Sequence, residues 1–273
     1  MKTPTIAFIG AGNMATSIVG GLVEAGHPAD CIRAADPFPE SIERLQQIAP
    51  VHVCSDNREA ARGADVIILA VKPQVMAEVC RGIAEAVTAT APLVISIAAG
   101  ITIDSMLTWL GRETAIVRCM PNTPALLGCG ASGLFANANT SDQQRAYAEQ
   151  VLSAVGILDW VPKERDLNAV TALSGSGPAY FFLFMEAMID AGVAQGLDRE
   201  TARKLAQQTG LGAARMALES DVDLVELRRR VTSPGGTTQA AIENFETAGL
   251  RKLVDNAMQA AADRADEMAK EMG

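Results

Sequence analysis

From the N-terminus to about Val161, short apolar runs alternate with stretches whose apolar residues recur every three or four positions, the pattern of strands alternating with amphipathic helices. Strands are expected over residues 5–9, 31–35, 51–54, 66–70, 93–97, 115–119, 130–135 and 157–161, and helices over 13–25, 41–48, 74–87, 103–110 and 142–154. Runs such as Val66-Ile67-Ile68-Leu69-Ala70 are apolar on both faces, as strands are when helices cover a parallel sheet from above and below. The first half therefore reads as one doubly wound α/β unit.

Beyond Pro162 the strand signals stop and the chain reads as helices to its end, broken by glycine or proline at 175–178, at Gly196 and at 234–236. The expected domains are 1–162, α/β, and 163–273, all-α. A helix over 178–194 carries Tyr180, Phe181, Phe182, Leu183, Phe184, Met185, Met188, Ile189 and Val193, which cover nearly its whole circumference. Such a helix has to be buried all round, and a helical domain of this size is thin for that. A second copy of the chain is expected to pack over it, with two-fold symmetry. The Ala- and charge-rich tail over 260–273 reads as a solvated terminal helix.

Composition narrows the function. The 273 residues are 49% hydrophobic but only 4% aromatic, and the net charge of -9 argues against a nucleic-acid partner. Any anionic ligand has to be held by local groups rather than by the overall field. Five cysteines, with no C-x-x-C pair, suggest neither a zinc site nor a disulfide framework; no metal is expected. The N-terminus has neither the basic region nor the cleavage site of a secretory signal. The most apolar stretch contains Glu186 and Asp190 and falls short of a membrane span. A cytoplasmic protein is expected.

The candidate cofactor site follows the first strand. Thr5-Ile6-Ala7-Phe8-Ile9 runs into Gly10-Ala11-Gly12-Asn13-Met14-Ala15, giving strand, G-x-G-x-x-A and helix. The first glycine makes the turn, the second lets the backbone approach a pyrophosphate, and Ala15 permits close helix packing. This marks a Rossmann-like dinucleotide-binding domain in which Ile9, Gly10, Ala11, Gly12, Asn13 and Met14 face a nicotinamide cofactor. Asp36 ends the second strand, where a carboxylate accepts from a ribose hydroxyl and favours NADH over NADPH; it also reads as a turn-former before Pro37. Asn57 is a candidate for the adenosine portion or a bare N-cap. Ala70, Val71, Lys72 and Pro73 leave the fourth strand at its ligand-binding end, and Ala98, Ala99, Asn122 and Thr123 follow later strands on the same edge, flanking the nicotinamide.

Two hydroxyl- and glycine-rich segments of the second half qualify for the chemistry. One runs from Thr171 through Ser176 to Tyr180; the other is Val231-Thr232-Ser233-Pro234-Gly235-Gly236-Thr237-Thr238, opening a helix over 239–245. Backbone N–H groups at a helix start suit a small anion, and an ordinary capped turn reads the same way. Both histidines, His27 and His52, lie in the first half, and neither segment holds a lysine. Alcohol oxidation needs a base; reduction of a cyclic imine does not, because the nitrogen takes its proton from solvent.

The glycine turn, Ala70-Val71-Lys72-Pro73, Ser96-Ile97-Ala98-Ala99-Gly100, Arg118-Cys119-Met120-Pro121-Asn122-Thr123-Pro124, the stretch Leu173 to Tyr180 and Val231 to Thr238 together resemble the pyrroline-5-carboxylate reductases, over essentially the whole chain. The resemblance implies NADPH- or NADH-dependent reduction of L-1-pyrroline-5-carboxylate to L-proline, the last step of proline biosynthesis. It implies a Rossmann-like domain followed by an all-α C-terminal dimerisation domain, in a homodimer that some members build into a homodecamer. It also implies that Gly235, Gly236, Thr237, Thr238 and Ser233 receive the substrate carboxylate, that Thr238 bonds the ring nitrogen, and that Thr171 and Ser176 line the ring pocket. Asp221 stands where the family usually has an acid, or is a solvated residue before a helix. Asp36 departs from NADPH-using members, which often have a small polar residue there, so either cofactor is expected. A β-hydroxyacid-type dehydrogenase would share the architecture but needs a lysine early in its helical domain, where this chain offers Thr171, Ser174 and Ser176. A dinucleotide-sensing subunit without turnover is the other reading.

Overall fold

The computed structural model describes residues 3–272; Met1, Lys2 and Gly273 lie outside the described residues. Strands β1 (Ile6–Ile9), β2 (Ile32–Ala35), β3 (His52–Val53), β4 (Val66–Leu69), β5 (Leu93–Ser96), β6 (Ala115–Met120), β7 (Gly130–Ala136) and β8 (Gly156–Trp160) form one sheet, ordered β3-β2-β1-β4-β5-β6-β7-β8. Neighbours run parallel except β6 and β7. Between the strands lie α1 (Asn13–Glu24), α2 (Pro39–Ile48), α3 (Asn57–Ala61), α4 (Met76–Thr90), α5 (Ile103–Leu110) and α6 (Asp142–Ser153). This is the Rossmann-like arrangement that the alternating pattern predicts.

Successive strand residues point to opposite faces, and here both faces are dry. Ile6, Phe8, Val66, Ile68, Leu93 and Ile95 pack with Ile18, Val19, Leu22, Leu45, Val151 and Leu152 from α1, α2 and α6. Ala7, Ile9, Ile67, Leu69 and Val94 pack with Met76, Ile83, Val87, Met106 and Leu110 from α4 and α5. The edges differ from this centre: β3 is two exposed residues rather than the expected four, and β8 alternates between half-buried and exposed.

After β8 the chain forms α7 (Leu167–Val170), a π-turn over Thr171–Gly175, and then α8 (Gly177–Ala194), α9 (Arg199–Glu219), α10 (Leu224–Arg230), α11 (Thr237–Thr247) and α12 (Leu250–Met272). By compactness one unit runs to Ser176 and takes in the chain from Ala260 on; the other is Gly177–Gln259. The tail thus departs from the solvated helix expected of it. Met268 stands 3.2 Å from where a Cβ on Gly100 would be, and Met272 packs against the α4–α5 core.

The second unit has little core of its own. Gly177, Ala202 and Ala206 are its buried members among the described residues, while Phe181, Phe182 and Leu183 are 70%, 66% and 67% exposed. Phe184 and Phe245 meet with ring centroids 6.0 Å apart. The helix that sequence reads as buried on every side therefore leaves one apolar face uncovered in a single chain, far larger than isolated exposed residues would make. Among the described residues no helix is long and apolar enough to cross a membrane.

Two glycines inside helices test the packing. A Cβ on Gly21 of α1 would stand on the Ala154 carbonyl oxygen, whereas Gly82 of α4 faces open space. Gly21→Ala is expected to destabilise by about 1–3 kcal/mol through overpacking. Gly82→Ala should stabilise by about 0.5–1 kcal/mol through helix propensity alone. Urea denaturation midpoints of the two variants check the opposite signs.

Candidate active site

The cradle grows from the point where the sheet changes direction. β1 pairs with β2 on one side and β4 on the other, and open α/β sheets bind ligands beyond the strand ends at such a point. Gly10 leaves β1 with φ +96°, and a Cβ there would lie 2.6 Å from the Ala70 carbonyl oxygen. No other residue fits without moving backbone. Its N–H bonds the Ala35 carbonyl at 2.8 Å, and the Ala70 N–H bonds the Ile9 carbonyl at 2.8 Å, so the turn is pinned to both neighbouring strands. Gly12, the N-cap of α1, brings no side-chain acceptor to the first amides of the helix, and nothing occupies the space where its Cβ would stand. Ala15 is fully buried beneath. Open donors at the positive end of a helix, beside a gap that a side chain would fill, fit a pyrophosphate.

The other expected cofactor residues are placed unevenly. Asp36 accepts the Ala11 N–H on Oδ2 at 2.7 Å and the Phe38 N–H on Oδ1 at 2.8 Å, so it braces the glycine turn. Each oxygen keeps a lone pair for a ribose hydroxyl. Asp56, not Asn57, caps α3, accepting the Glu59 N–H at 2.8 Å; the Asn57 side chain makes no hydrogen bond among the described residues. Lys72 is exposed at the start of a 3-10 turn over Pro73–Val75. Thr123 is exposed, but Asn122 is buried, its carboxamide spent on the Ser174 carbonyl at 3.0 Å and the Ala131 N–H at 2.9 Å.

Ala98 and Ala99 after β5, Met120 of β6, Thr171 of the π-turn, Ser176 directly after it, and Met268 of α12 share a cavity of about 190 Å³. The Thr171 hydroxyl donates to the Leu167 carbonyl at 2.8 Å, leaving its lone pairs to accept. Arg118 and Cys119 also line the cavity. Arg118 Nη1 meets Glu164 Oε1 at 2.8 Å, and the same oxygen accepts the Ile103 N–H at 2.8 Å. Sequence analysis did not single out this pair, although an arginine inside the apolar run Ala115–Met120 needs a partner when buried. Burial pushes the Cys119 thiol up to about 12, so it is no nucleophile at neutral pH. Elsewhere His52, Cys54 and Glu59 bring one ligand atom each within 4.8 Å of one another, a grouping that sequence analysis also passed over. Glu59 already accepts the Ser55 N–H at 2.6 Å, and burial raises the Cys54 thiol away from the thiolate a metal needs.

In the second unit, Gly235 turns with φ +71°. Gly236 is the N-cap of α11 and, like Gly12, supplies no side-chain acceptor. The Gly236 N–H is held by the Ser233 carbonyl at 3.0 Å and the Gly235 N–H by Gln239 Oε1 at 2.6 Å. As the first helical residues, Thr237 and Thr238 have no carbonyl one turn earlier to receive their amides. Ser233, Thr237 and Thr238 are exposed. Asp221 is exposed in a bend, and the cap of α10 is Asp223, which accepts the Glu226 N–H at 2.8 Å.

A substitution separates the cradle's two glycines. A Cβ on Gly12 meets no protein atom within 4 Å, so the melting temperature of Gly12→Ala should stay within about 4 °C of the parent, while the added methyl enters the pyrophosphate gap and should weaken NADPH binding at least about tenfold. Calorimetry with titration of the reduced cofactor checks both; undiminished affinity would contradict the placement.

Comparison with known proteins identifies the family. Residues 164–268 match the family model described as pyrroline-5-carboxylate reductase dimerisation, and residues 5–100 the one described as NADP oxidoreductase coenzyme F420-dependent. The pyrroline-5-carboxylate reductase of Pseudomonas aeruginosa is 55% identical over 273 residues, covering 100% of both chains. The solved structure of a pyrroline-5-carboxylate reductase from Coxiella burnetii superposes with a TM-score of 0.95 at 45% identity, over 98% of this chain and 99% of that one. The Plasmodium falciparum pyrroline carboxylate reductase, solved with NADP bound, gives 0.85 at 32% identity over 98% of this chain and 99% of that one. The chain belongs to the pyrroline-5-carboxylate reductase family, NAD(P)H-dependent oxidoreductases acting on a C=N bond.

Proposed function

We propose that this chain reduces L-1-pyrroline-5-carboxylate to L-proline, with the cofactor seated on the glycine turn after β1 and the substrate carboxylate on the turn that opens α11. The observation that carries the reading is a pair of glycine-capped helix starts, one in each unit, in a chain that its relatives match from end to end. When bound, the reduced nicotinamide supplies the hydride that the imine carbon accepts. Thr237 and Thr238 offer amides, and the Ser233 hydroxyl a further donor, to the carboxylate. A carboxylate that reaches the Gly235 amide displaces the Gln239 oxygen from it. The Thr238 hydroxyl bonds the ring nitrogen and orients the C=N bond; Asp221 favours the protonated imine. Thr171 and Ser176 line the ring pocket. Solvent supplies the proton on nitrogen, so no side-chain base is required, and positioning and polarisation do most of the catalysis.

The exposed face of α8 supports a homo-oligomer through the second unit, dimeric at least; its proposed place of work is the cytoplasm. A homodecamer stays within the same proposal, and a solution mass measurement tells the two apart.

Purified protein with NADPH and the imine acid should lose absorbance at the reduced-nicotinamide band and form proline; absence of proline under saturating conditions would refute the reading. Thr238→Ala should lower kcat about 10- to 100-fold through one lost hydrogen bond, with cofactor affinity unchanged. A variant with full turnover contradicts the role given to Thr238. Asp36 sets a second test. Removing a carboxylate from beside the ribose relieves repulsion of a 2′-phosphate, so Asp36→Ser should raise the ratio of kcat/KM with NADPH to that with NADH at least about tenfold. An unchanged ratio would place Asp36 as a brace for the turn only.

A further inference from the structure

Ser174 lies in the π-turn, four residues before Pro178, and proline has no N–H to give. The carbonyl of Ser174 therefore lacks the partner that a continuing α-helix would supply. It does so where the bond from the Ser176 N–H to the Thr171 carbonyl, 2.8 Å across five residues, widens the helix. A half-buried carbonyl without a donor is costly. Asn122 provides the donor: its Nδ2 reaches the Ser174 carbonyl at 3.0 Å, and its Oδ1 accepts the Ala131 N–H at 2.9 Å. That amide lies beyond the part of β7 that pairs with β6, whose last partner is Gly133. Asn122 is 9% exposed. One planar carboxamide thus joins the chain after β6, the start of β7 and the π-turn, and it can do so because it carries a donor and an acceptor side by side.

We propose that Asn122 is a positioning residue for the reduction, fixing the π-turn and through it Thr171 and Ser176, and that it does not contact the nicotinamide cofactor. The proposal rests on the assignment of Thr171 and Ser176 to the ring pocket. It replaces the sequence expectation of Asn122 as a cofactor contact with a role one step removed from the chemistry.

The test uses the full-length, assembled protein. Asn122→Asp keeps the acceptor for Ala131 and loses the donor to Ser174; Asn122→Ala loses both and serves by the same criteria if the aspartate variant does not fold. Three quantities are read: amide hydrogen exchange across residues 171–176, the Kd for NADPH by fluorescence, and the kcat and KM for the imine acid. Exchange should quicken across the π-turn, and kcat/KM for the imine should fall about 10- to 100-fold, as a displacement near 1 Å produces. The NADPH Kd should stay within about twofold of the parent, since no contact to the cofactor is lost. Unaltered exchange, or unaltered kcat/KM, overturns the clamp. A Kd weakened as much as kcat/KM falls also overturns it, in favour of direct cofactor contact. Thr171→Val and Ser176→Ala with parental kinetics would remove the pocket assignment on which the catalytic half stands, while the exchange measurement would still decide whether Asn122 holds the turn.

Discussion

Gly12 and Gly236 stand at the N-caps of α1 and α11, and the proposed activity depends on what those glycines withhold. Asp56, Thr102, Ser141, Asp198 and Asp223 each cap a helix with a side-chain oxygen that satisfies one of its first amides. Gly12 and Gly236 do not, so α1 and α11 keep donors for a ligand. In a protein with a net charge of -9, the overall field repels a pyrophosphate or a carboxylate. In the proposed reading, local backbone donors overcome that.

The sheet makes the first of these helix starts rigid. Gly10 is held by its own left-handed turn, by the Ala35 carbonyl and by the Ala70 backbone beneath it, and Asp36 braces Ala11 from the next strand. Layers of Ile, Val and Leu on both faces of β1 and β4 keep those strand ends in place. The second unit has no comparable core: its apolar side chains are largely exposed in one chain, consistent with its match to a dimerisation family. In the proposed assembly a partner copy covers those side chains, which ties assembly to the shape of the proposed carboxylate site.

Much of the fold was legible because strands buried on two faces and helices buried on one write different periods. Helix α5 falls on residues 103–110 as the pattern predicts, and the central strands agree to within a residue. The short edge strand β3 was overdrawn, because Val51 and Cys54 are apolar for packing reasons and only His52 and Val53 pair. The tail was misread for a different reason. Ala261, Ala265, Met268 and Met272 recur at intervals of four, three and four, a faint stripe among charges, and it took the structure to show them against the first unit. At the site, glycine spacing announced the cradle, since backbone conformation is written in residue type. The roles of Asn122 and of the Arg118–Glu164 pair were hidden, because hydrogen bonds spanning 52 and 46 residues leave no periodic trace.

The account stands on the amides of α11 receiving the imino acid while the first unit carries the nicotinamide. A crystal structure of the assembled protein with oxidised cofactor and a five-membered-ring carboxylate bound tests this most directly. The carboxylate oxygens are expected about 2.7–3.2 Å from the amides of Thr237 and Thr238, with the ring against the nicotinamide. A carboxylate bound elsewhere, with that turn facing open solvent, would contradict it.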